Sequence, residues 1–232
     1  VRPLHEIFIE VPPRYDLMNR LLTLRLDERW REKAAAECLA GAPRRVLDLC
    51  TGTGDLALRL ARSGRGLDHI AALDFSAPML DAARRKAERR DLREIEFVEA
   101  DAADMPFRDG SFDTVGIAFA FRNLTFRNPG RDRYLAEILR VIRAGGRFVI
   151  VESSQPENSV LRALSHAYVS LMACGVAGIL SGHPGAYRYL ARSVIRFSAP
   201  EELRRMLKGA GFSEARHTPL LGGAAGITVA VK

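Results

Sequence analysis

Residues 46–57 read VLDLCTGTGDLA. A short apolar run carries Asp48 near its end, a loop follows with Gly52 and Gly54, and a helical pattern opens at Asp55. Strand, glycine turn and helix in that order commit a chain to a parallel α/β sheet. A strand buried on both faces needs a helix to cover it before the next strand can pair. Glycine carries no side chain, so the turn also allows a ligand to come against the backbone. Read as G-x-G-x-x-A, the segment matches a dinucleotide fingerprint. Asp74, at the end of the next apolar run, is where a carboxylate binds both hydroxyls of a ribose in such folds.

The alternation continues along the chain. Asp27 is expected to cap a helix that runs to about Ala40 and stops at Gly41. Strands are predicted at 46–50, 70–74, 95–98, 114–118 and 147–152, the last entered through a turn at Gly145 and Gly146. Helices are predicted at 55–63, after a Ser76 cap with Pro78 in the first turn, and at 129–142, where Leu135, Ile138, Leu139 and Ile142 share one face. Ser198 and Glu201 read as a capping box for a helix over 200–210, closed by Gly211. Two strands in succession, near 214–221 and 226–231, suggest a hairpin. The fold class expected is therefore a Rossmann-like α/β domain. Its sheet would be mostly parallel and seven-stranded, with one antiparallel strand and helices on both faces. One domain spans 1–232 in this reading: a helical leader (1–41), a cofactor-binding core (42–156), a helical insertion for the acceptor (157–197) and a terminal helix and strand pair (198–232).

At 232 residues such a domain buries roughly three-quarters of the surface its unfolded chain exposes, and it needs no covalent staple. The three cysteines, Cys38, Cys50 and Cys174, are far apart and form no CxxC pair. Neither a disulfide framework nor a zinc site is expected, and the usage fits a reducing cytoplasm. Cys50, at the end of an apolar run, reads as a packed thiol. The five histidines show no metal-ligand spacing. The net charge of +7 would suit nucleic acid, anionic lipid or acidic ligands. The arginines are spread along the chain, however, and the densest run, RRKAERRDLR (84–93), mixes both signs. No basic patch interleaved with aromatics is present, so nucleic-acid binding is not expected. No apolar run is long enough for a membrane span, and residues 1–10 lack a signal-peptide core. The apolar segment AYVSLMACGVAGIL (167–180) is read either as a buried helix or as a surface for a lipophilic ligand.

The acids around the loop separate two cofactor classes. Asp48 and Asp55 flank the glycines, which suits a cationic aminoacyl-sulfonium better than the pyrophosphate of NAD. Glu99-Ala100-Asp101-Ala102 follows the third strand, where an acid can reach an adenine amino group. AGGR (144–147) before the fifth strand and the closing strand pair match the chain order of methyltransferases.

With these residues in view, the chain resembles the ubiquinone/menaquinone-biosynthesis C-methyltransferases, within the class I S-adenosylmethionine-dependent methyltransferases. The resemblance covers nearly the whole chain. FIEVPPRYDLMNRLLTLRLDERWR (8–31) is similar to the family's opening signature, and 47–56, 74–80 and 101–113 follow its core pattern. AFRN (120–123) resembles G-[LI]-R-N, ESSQP (152–156) resembles E-F-S-x-P, and AYRYLARSVIRF (186–197) resembles A-Y-x-Y-L-x-x-S-I-x-x-F. The departures are Ala120 for Gly, Ser153 for Phe, Ala118 where some members carry Ser, and a poor match over 161–184.

The resemblance implies S-adenosyl-L-methionine as cofactor and a prenylated quinol, such as demethylmenaquinol, methylated on ring carbon. It implies a cofactor set of Asp48, Thr51, Gly52, Thr53, Gly54, Asp74, Phe75, Met79, Asp101, Ala102 and Ala118. A neutral ring carbon is a weak nucleophile, and loss of a phenolic proton pushes electron density onto it. A guanidinium can hold the phenolate or position a water acting as base. Arg122 and Asn123 are the catalytic candidates, with Tyr15 in a leader that folds over the cofactor. Tyr187, Tyr189, Arg192 and His166 are the candidates for the acceptor pocket, His166 also as an alternative base. The enzyme is expected in the cytoplasm, touching the inner face of the membrane peripherally, and an oligomer is compatible with the sequence. The competing readings are the same fold acting on another lipophilic or phenolic acceptor, a non-catalytic S-adenosylmethionine-binding or membrane-docking protein, and an NAD-dependent dehydrogenase.

Overall fold

The computed structural model describes residues 20, 22–173 and 184–232, and of Pro184, Ala186 and Tyr187 the backbone alone. Tyr15 and Cys174 lie outside these residues. In chain order the elements are α1 (Leu26–Leu39), β1 (Arg45–Leu49), α2 (Asp55–Ser63), β2 (His69–Asp74), α3 (Ala77–Glu88), β3 (Ile95–Glu99), β4 (Phe112–Ala118), α4 (Phe121–Thr125), α5 (Arg131–Val141), β5 (Ile142–Ser153), α6 (Ser159–Ser170), α7 (Pro184–Ile195), α8 (Pro200–Gly209), β6 (Glu214–Leu220) and β7 (Ala225–Val231).

The strands form one sheet in the order β3-β2-β1-β4-β5-β7-β6. Pairing is parallel from β3 through β5, and β7 runs antiparallel to both β5 and β6. The expected mostly parallel, seven-stranded sheet with one reversed strand is thus found. Central strands read as unbroken apolar runs because both faces are covered. On one side Leu47, Leu49, Val115, Ile117, Phe148 and Ile150 pack against Leu135 and Ile138 of α5 and Leu203 and Leu207 of α8. On the other, Val46, Val149, Val151 and Val229 meet Ala34, Ala35 and Cys38 of α1 and Leu56 and Leu60 of α2. Alternate residues of one strand therefore serve opposite layers, as the period of two requires.

Several local expectations are corrected. Asp27 does not cap α1. The N-cap is Arg25, in the left-handed region at φ 62°, and Asp27 lies inside the first turn. There its buried carboxylate takes a hydrogen bond of 2.7 Å from Thr23 Oγ1 and pairs with Arg31, one turn on, which satisfies a charge that burial would otherwise penalise. Ser76 is the N-cap of α3 without a side-chain cap bond. The capping box at Ser198 and Glu201 does not form either. The N-cap of α8 is Ala199, and Pro200 in its first turn has no N–H to satisfy. Glu201 instead pairs with Arg204 one turn along. Gly145 and Gly146 do not precede β5 but lie within it. The register jumps from Phe112↔Ile142 to Thr114↔Arg147, so residues 143–146 stay outside that ladder. The short α4, directly after β4, was not expected.

Candidate active site

β1 and β4 are neighbours although four elements separate them in the chain, so the connections leave the sheet in opposite directions and open a crevice at their carboxyl ends. Two non-glycine residues there, Cys50 (φ 53°) and Phe119 (φ 58°), adopt the left-handed region. Such a conformation persists where surrounding structure enforces it, and it gathers at functional sites. A cavity of about 190 Å³ occupies the crevice. Its walls include Asp48, Thr51, Gly52, Thr53, Asp74, Phe75, Met79, Asp101, Ala102, Ala118 and Asn123, all residues that the sequence singled out. Gly54 is the exception. At φ +82° a Cβ there would lie 2.9 Å from Ala83 Cβ, so its bare backbone brings α2 against α3 rather than against a ligand. Gly52 differs: its φ is +56°, a Cβ would find nothing within 4 Å, and it faces the cavity.

Hydrogen bonds fix the acids of this cavity. Asp74 accepts from the N–H of Gly52 (2.8 Å) and of Ser76 (2.9 Å), tying the glycine loop to the end of β2. Asp48 accepts from Thr51 Oγ1 (2.5 Å) and the N–H of Ala57 (2.9 Å). Burial nevertheless pushes its carboxyl up to about 7, with nearby Asp74 adding to the rise, against these hydrogen bonds and Arg31. Burial also raises Asp55, but Lys86 Nζ, 2.9 Å away, and Arg31 outweigh it and hold the group below the usual carboxylate range. Lys86 also donates to Thr53 Oγ1 at 2.8 Å. At the far end, exposed Asp101 accepts from the N–H of Ala103 at 2.9 Å. Tyr134 and Asn128 complete this end, and burial followed by the charge of Asp101 raises the Tyr134 hydroxyl. The Cys50 thiol also lines the cavity and is raised well above its ordinary range by burial, so it stays protonated.

A second, larger cavity of about 550 Å³ adjoins the first, and Arg31, Phe119 and Asn123 wall both. Its lining is mostly apolar, with Trp30, Leu161, Leu164, Tyr168, Leu190 and Val194 among it. Arg122 is buried in its wall. Its Nη1 donates to Glu152 Oε1 (2.7 Å) and Phe119 O (3.1 Å), and its Nε donates to Ser193 Oγ (3.2 Å). Glu152 Oε2 also accepts the Arg122 N–H at 3.3 Å. Nη2 makes no hydrogen bond among the described residues. Tyr189 lines this cavity, and burial raises its hydroxyl against the opposing charge of Arg122.

Two acceptor candidates are not brought to the cavity. Arg192 points into solvent. His166 Nε2 is engaged with Gln155 Oε1 at 2.8 Å, a partner the sequence offered no hint of, and it is not part of the wall. The side chain of Tyr187 and the whole of Tyr15 lie outside the described residues. Arg31, Asn128 and Tyr134, which line the cavities, and Glu152, which pairs with Arg122, are the positions that site-by-site reading missed. Asn128 and Tyr134 reach the site from a loop and a helix outside any quoted motif, whereas Arg31 closes the opening signature 8–31 and Glu152 stands inside ESSQP.

The strand order and the crevice at the reversal of connections define a Rossmann-like domain of the kind found in methyltransferases. A S-adenosylmethionine-dependent methyltransferase from Aquifex aeolicus superposes with a TM-score of 0.61 over 87% of this chain and 88% of its own, at 20% identity. A putative one from Methanococcus maripaludis gives 0.64 over 94% and 91%, at 19% identity. The chain belongs to the ubiE/COQ5 methyltransferase family, which it matches over residues 2–232. Relatives include a demethylmenaquinone methyltransferase of Thermus thermophilus, 47% identical over 96% of this chain and 98% of the relative. Another is a ubiquinone/menaquinone biosynthesis C-methyltransferase of Geotalea uraniireducens, 37% identical over 99% and 96%.

Proposed function

We propose that the chain transfers a methyl group from S-adenosylmethionine to a ring carbon of a prenylated quinol of the demethylmenaquinol kind. The observation that carries this reading is the junction at Arg31, Phe119 and Asn123. There a cavity lined by carboxylates and built on the glycine loop opens into an apolar one with a buried guanidinium in its wall. The cofactor fits the first cavity. Gly52 leaves open space, Asp74 and Asp101 stand at successive strand ends, and the acids suit a cationic ligand. Asp74 would hold the ribose, Asp101 the adenine, and Asp48 the ammonium of the aminoacyl end. When bound, the cofactor supplies an electrophilic methyl group on a sulfonium.

The chain's own residues do the rest. The apolar walls of the larger cavity take the ring and the start of its tail and exclude water, which strengthens every charge interaction inside. Arg122 is held rigidly by Glu152, Ser193 and Phe119 O, so its Nη2, which makes no hydrogen bond among the described residues, can meet a developing phenolate without reorganising. Glu152 prevents the guanidinium from being an unpaired buried charge. Asn123, walling both cavities, is suited to orient the ring or the water that takes the phenolic proton.

The quinol's tail brings the enzyme to a bilayer in this reading, with the cytoplasmic face as its place of work. Leu24, Leu161, Leu164, Tyr168 and Leu221 are exposed around the larger cavity. Residues 158–200 carry Arg162, Arg188, Arg192 and Arg196 and no acid. Apolar rim and basic surroundings suit an anionic lipid surface. No helix among the described residues is long and apolar enough to cross a membrane.

The test is methyl transfer to a short-tailed demethylmenaquinol, followed by mass spectrometry of the extracted quinone. A product heavier by one methyl, dependent on S-adenosylmethionine, is expected. Arg122→Ala should lower turnover by roughly two to four orders of magnitude while leaving cofactor binding intact. A folded Arg122→Ala protein turning over at the wild-type rate would remove the residue from the mechanism. Failure of the wild type to methylate any quinol would overturn the substrate.

A further inference from the structure

Arg31 is the sole cationic side chain among the described residues that wall the cofactor cavity, and it also walls the acceptor cavity. It is 7% exposed and projects from α1, far in sequence from the glycine loop. Its guanidinium carbon lies 4.9 Å from the centroid of the Phe119 ring, the residue whose backbone is held left-handed at the junction. Among the described residues its one hydrogen-bonding partner is Asp27, reached through Nη1. Asp27 is itself buried and fixed by Thr23. The guanidinium is thus clamped from one side by a carboxylate and from one face by an aromatic ring. Its Nε and Nη2 make no hydrogen bond among the described residues.

A planar fork with two free donors is matched to a carboxylate. Arg31 also senses both acids that flank the loop: its charge acts on Asp48 and on Asp55. Placed here to face a sulfonium or an ammonium, it would repel them. The aminoacyl end of S-adenosylmethionine carries one anionic group, its carboxylate, and the walls offer that group no other side-chain cation. We infer that Arg31 binds the carboxylate of the cofactor's methionyl end and thereby links the cofactor to α1 and to the acceptor cavity. This rests on the reading of the smaller cavity as an S-adenosylmethionine site.

The experiment compares two ligands that differ in the carboxylate alone, S-adenosylmethionine and its decarboxylated form, by calorimetry on wild type and Arg31→Met. The wild type should prefer the carboxylated ligand, and Arg31→Met should weaken it roughly ten- to hundredfold while moving the decarboxylated form by less than about threefold. Arg31→Lys should recover part of the loss, because it keeps the charge and loses the fork. Removing Arg31 leaves Asp27 buried without its partner, so an Asp27→Asn/Arg31→Met double variant, checked by thermal melting, carries the same comparison where the single variant does not fold. Equal weakening of both ligands, or of neither, overturns the inference. A wild type that binds neither ligand overturns the cofactor reading instead.

Discussion

Asp48 keeps its proton up to about 7 because burial disfavours the carboxylate more than Thr51, Ala57 and Arg31 favour it. Unfolded, the same group ionises in the ordinary carboxylate range. Between that range and about 7 the unfolded chain holds fewer protons than the folded one, so this group makes stability fall as pH rises through the window and adds no slope above it. Asp48→Asn should abolish that part of the slope in melts of the ligand-free protein taken from pH 4 to 8. A slope equal in the variant would show that Asp48 ionises normally. A cationic ligand favours the ionised form, so S-adenosylmethionine should bind more tightly as pH rises through about 7, with proton release on binding. Calorimetry in two buffers of different ionisation enthalpy measures it, and no proton release would contradict the assignment of Asp48. The acids could be read from sequence because each closes an apolar run at a fixed offset from the glycines. Arg31, Asn128 and Tyr134 could not. They meet the cavity through the packing of α1 on the sheet and through the loop and helix after α4, contacts with no local pattern.

At the scale of elements, hydrophobic period and glycine turns placed six strands to within two residues, since burial on both faces writes itself as an apolar run, while β5 starts five residues before its expected Arg147. Helix starts were read less well. Asp27, Ser198 and Glu201 looked like caps, but partners one turn along the same helix took the acidic side chains: Arg31 for Asp27 and Arg204 for Glu201. α4 was invisible because five residues carry no periodicity, yet it is what turns Arg122 toward Glu152. Gly54 gives a test of packing between elements. Gly54→Ala forces a left-handed alanine and a contact of 2.9 Å with Ala83. It should cost about 1–3 kcal/mol of stability and loosen cofactor binding by shifting α2. Denaturant unfolding checks the first effect, and an unchanged midpoint would mean that α2 and α3 yield without cost. Gly52→Ala, with open space at its Cβ, should disturb stability less and cofactor binding more, since the methyl intrudes on the cavity.

At the scale of the molecule, the apolar rim and the acid-free stretch 158–200 predict a weak, salt-sensitive association with anionic vesicles. Each basic residue near such a surface contributes about 1 kcal/mol. Arg188→Glu/Arg192→Glu should therefore cut flotation with anionic vesicles by tenfold or more, while turnover of a short-tailed, water-soluble quinol stays unchanged. Flotation that ignores both salt and these substitutions would place the contact elsewhere. The sheet has a further consequence. β7, late in the chain, lies between β5 and β6. During synthesis β6 leaves the ribosome first yet has no neighbour to join until β7 arrives, while β5 waits with one edge bare. The crevice at β1 and β4 can assemble before that gap is filled, so a nascent chain can hold a nearly complete site on an unfinished sheet. An open edge recruits other strands, so the last step of assembly is the one most exposed to competition from neighbouring chains. A chain cut short before residue 225 would be expected to aggregate through β5.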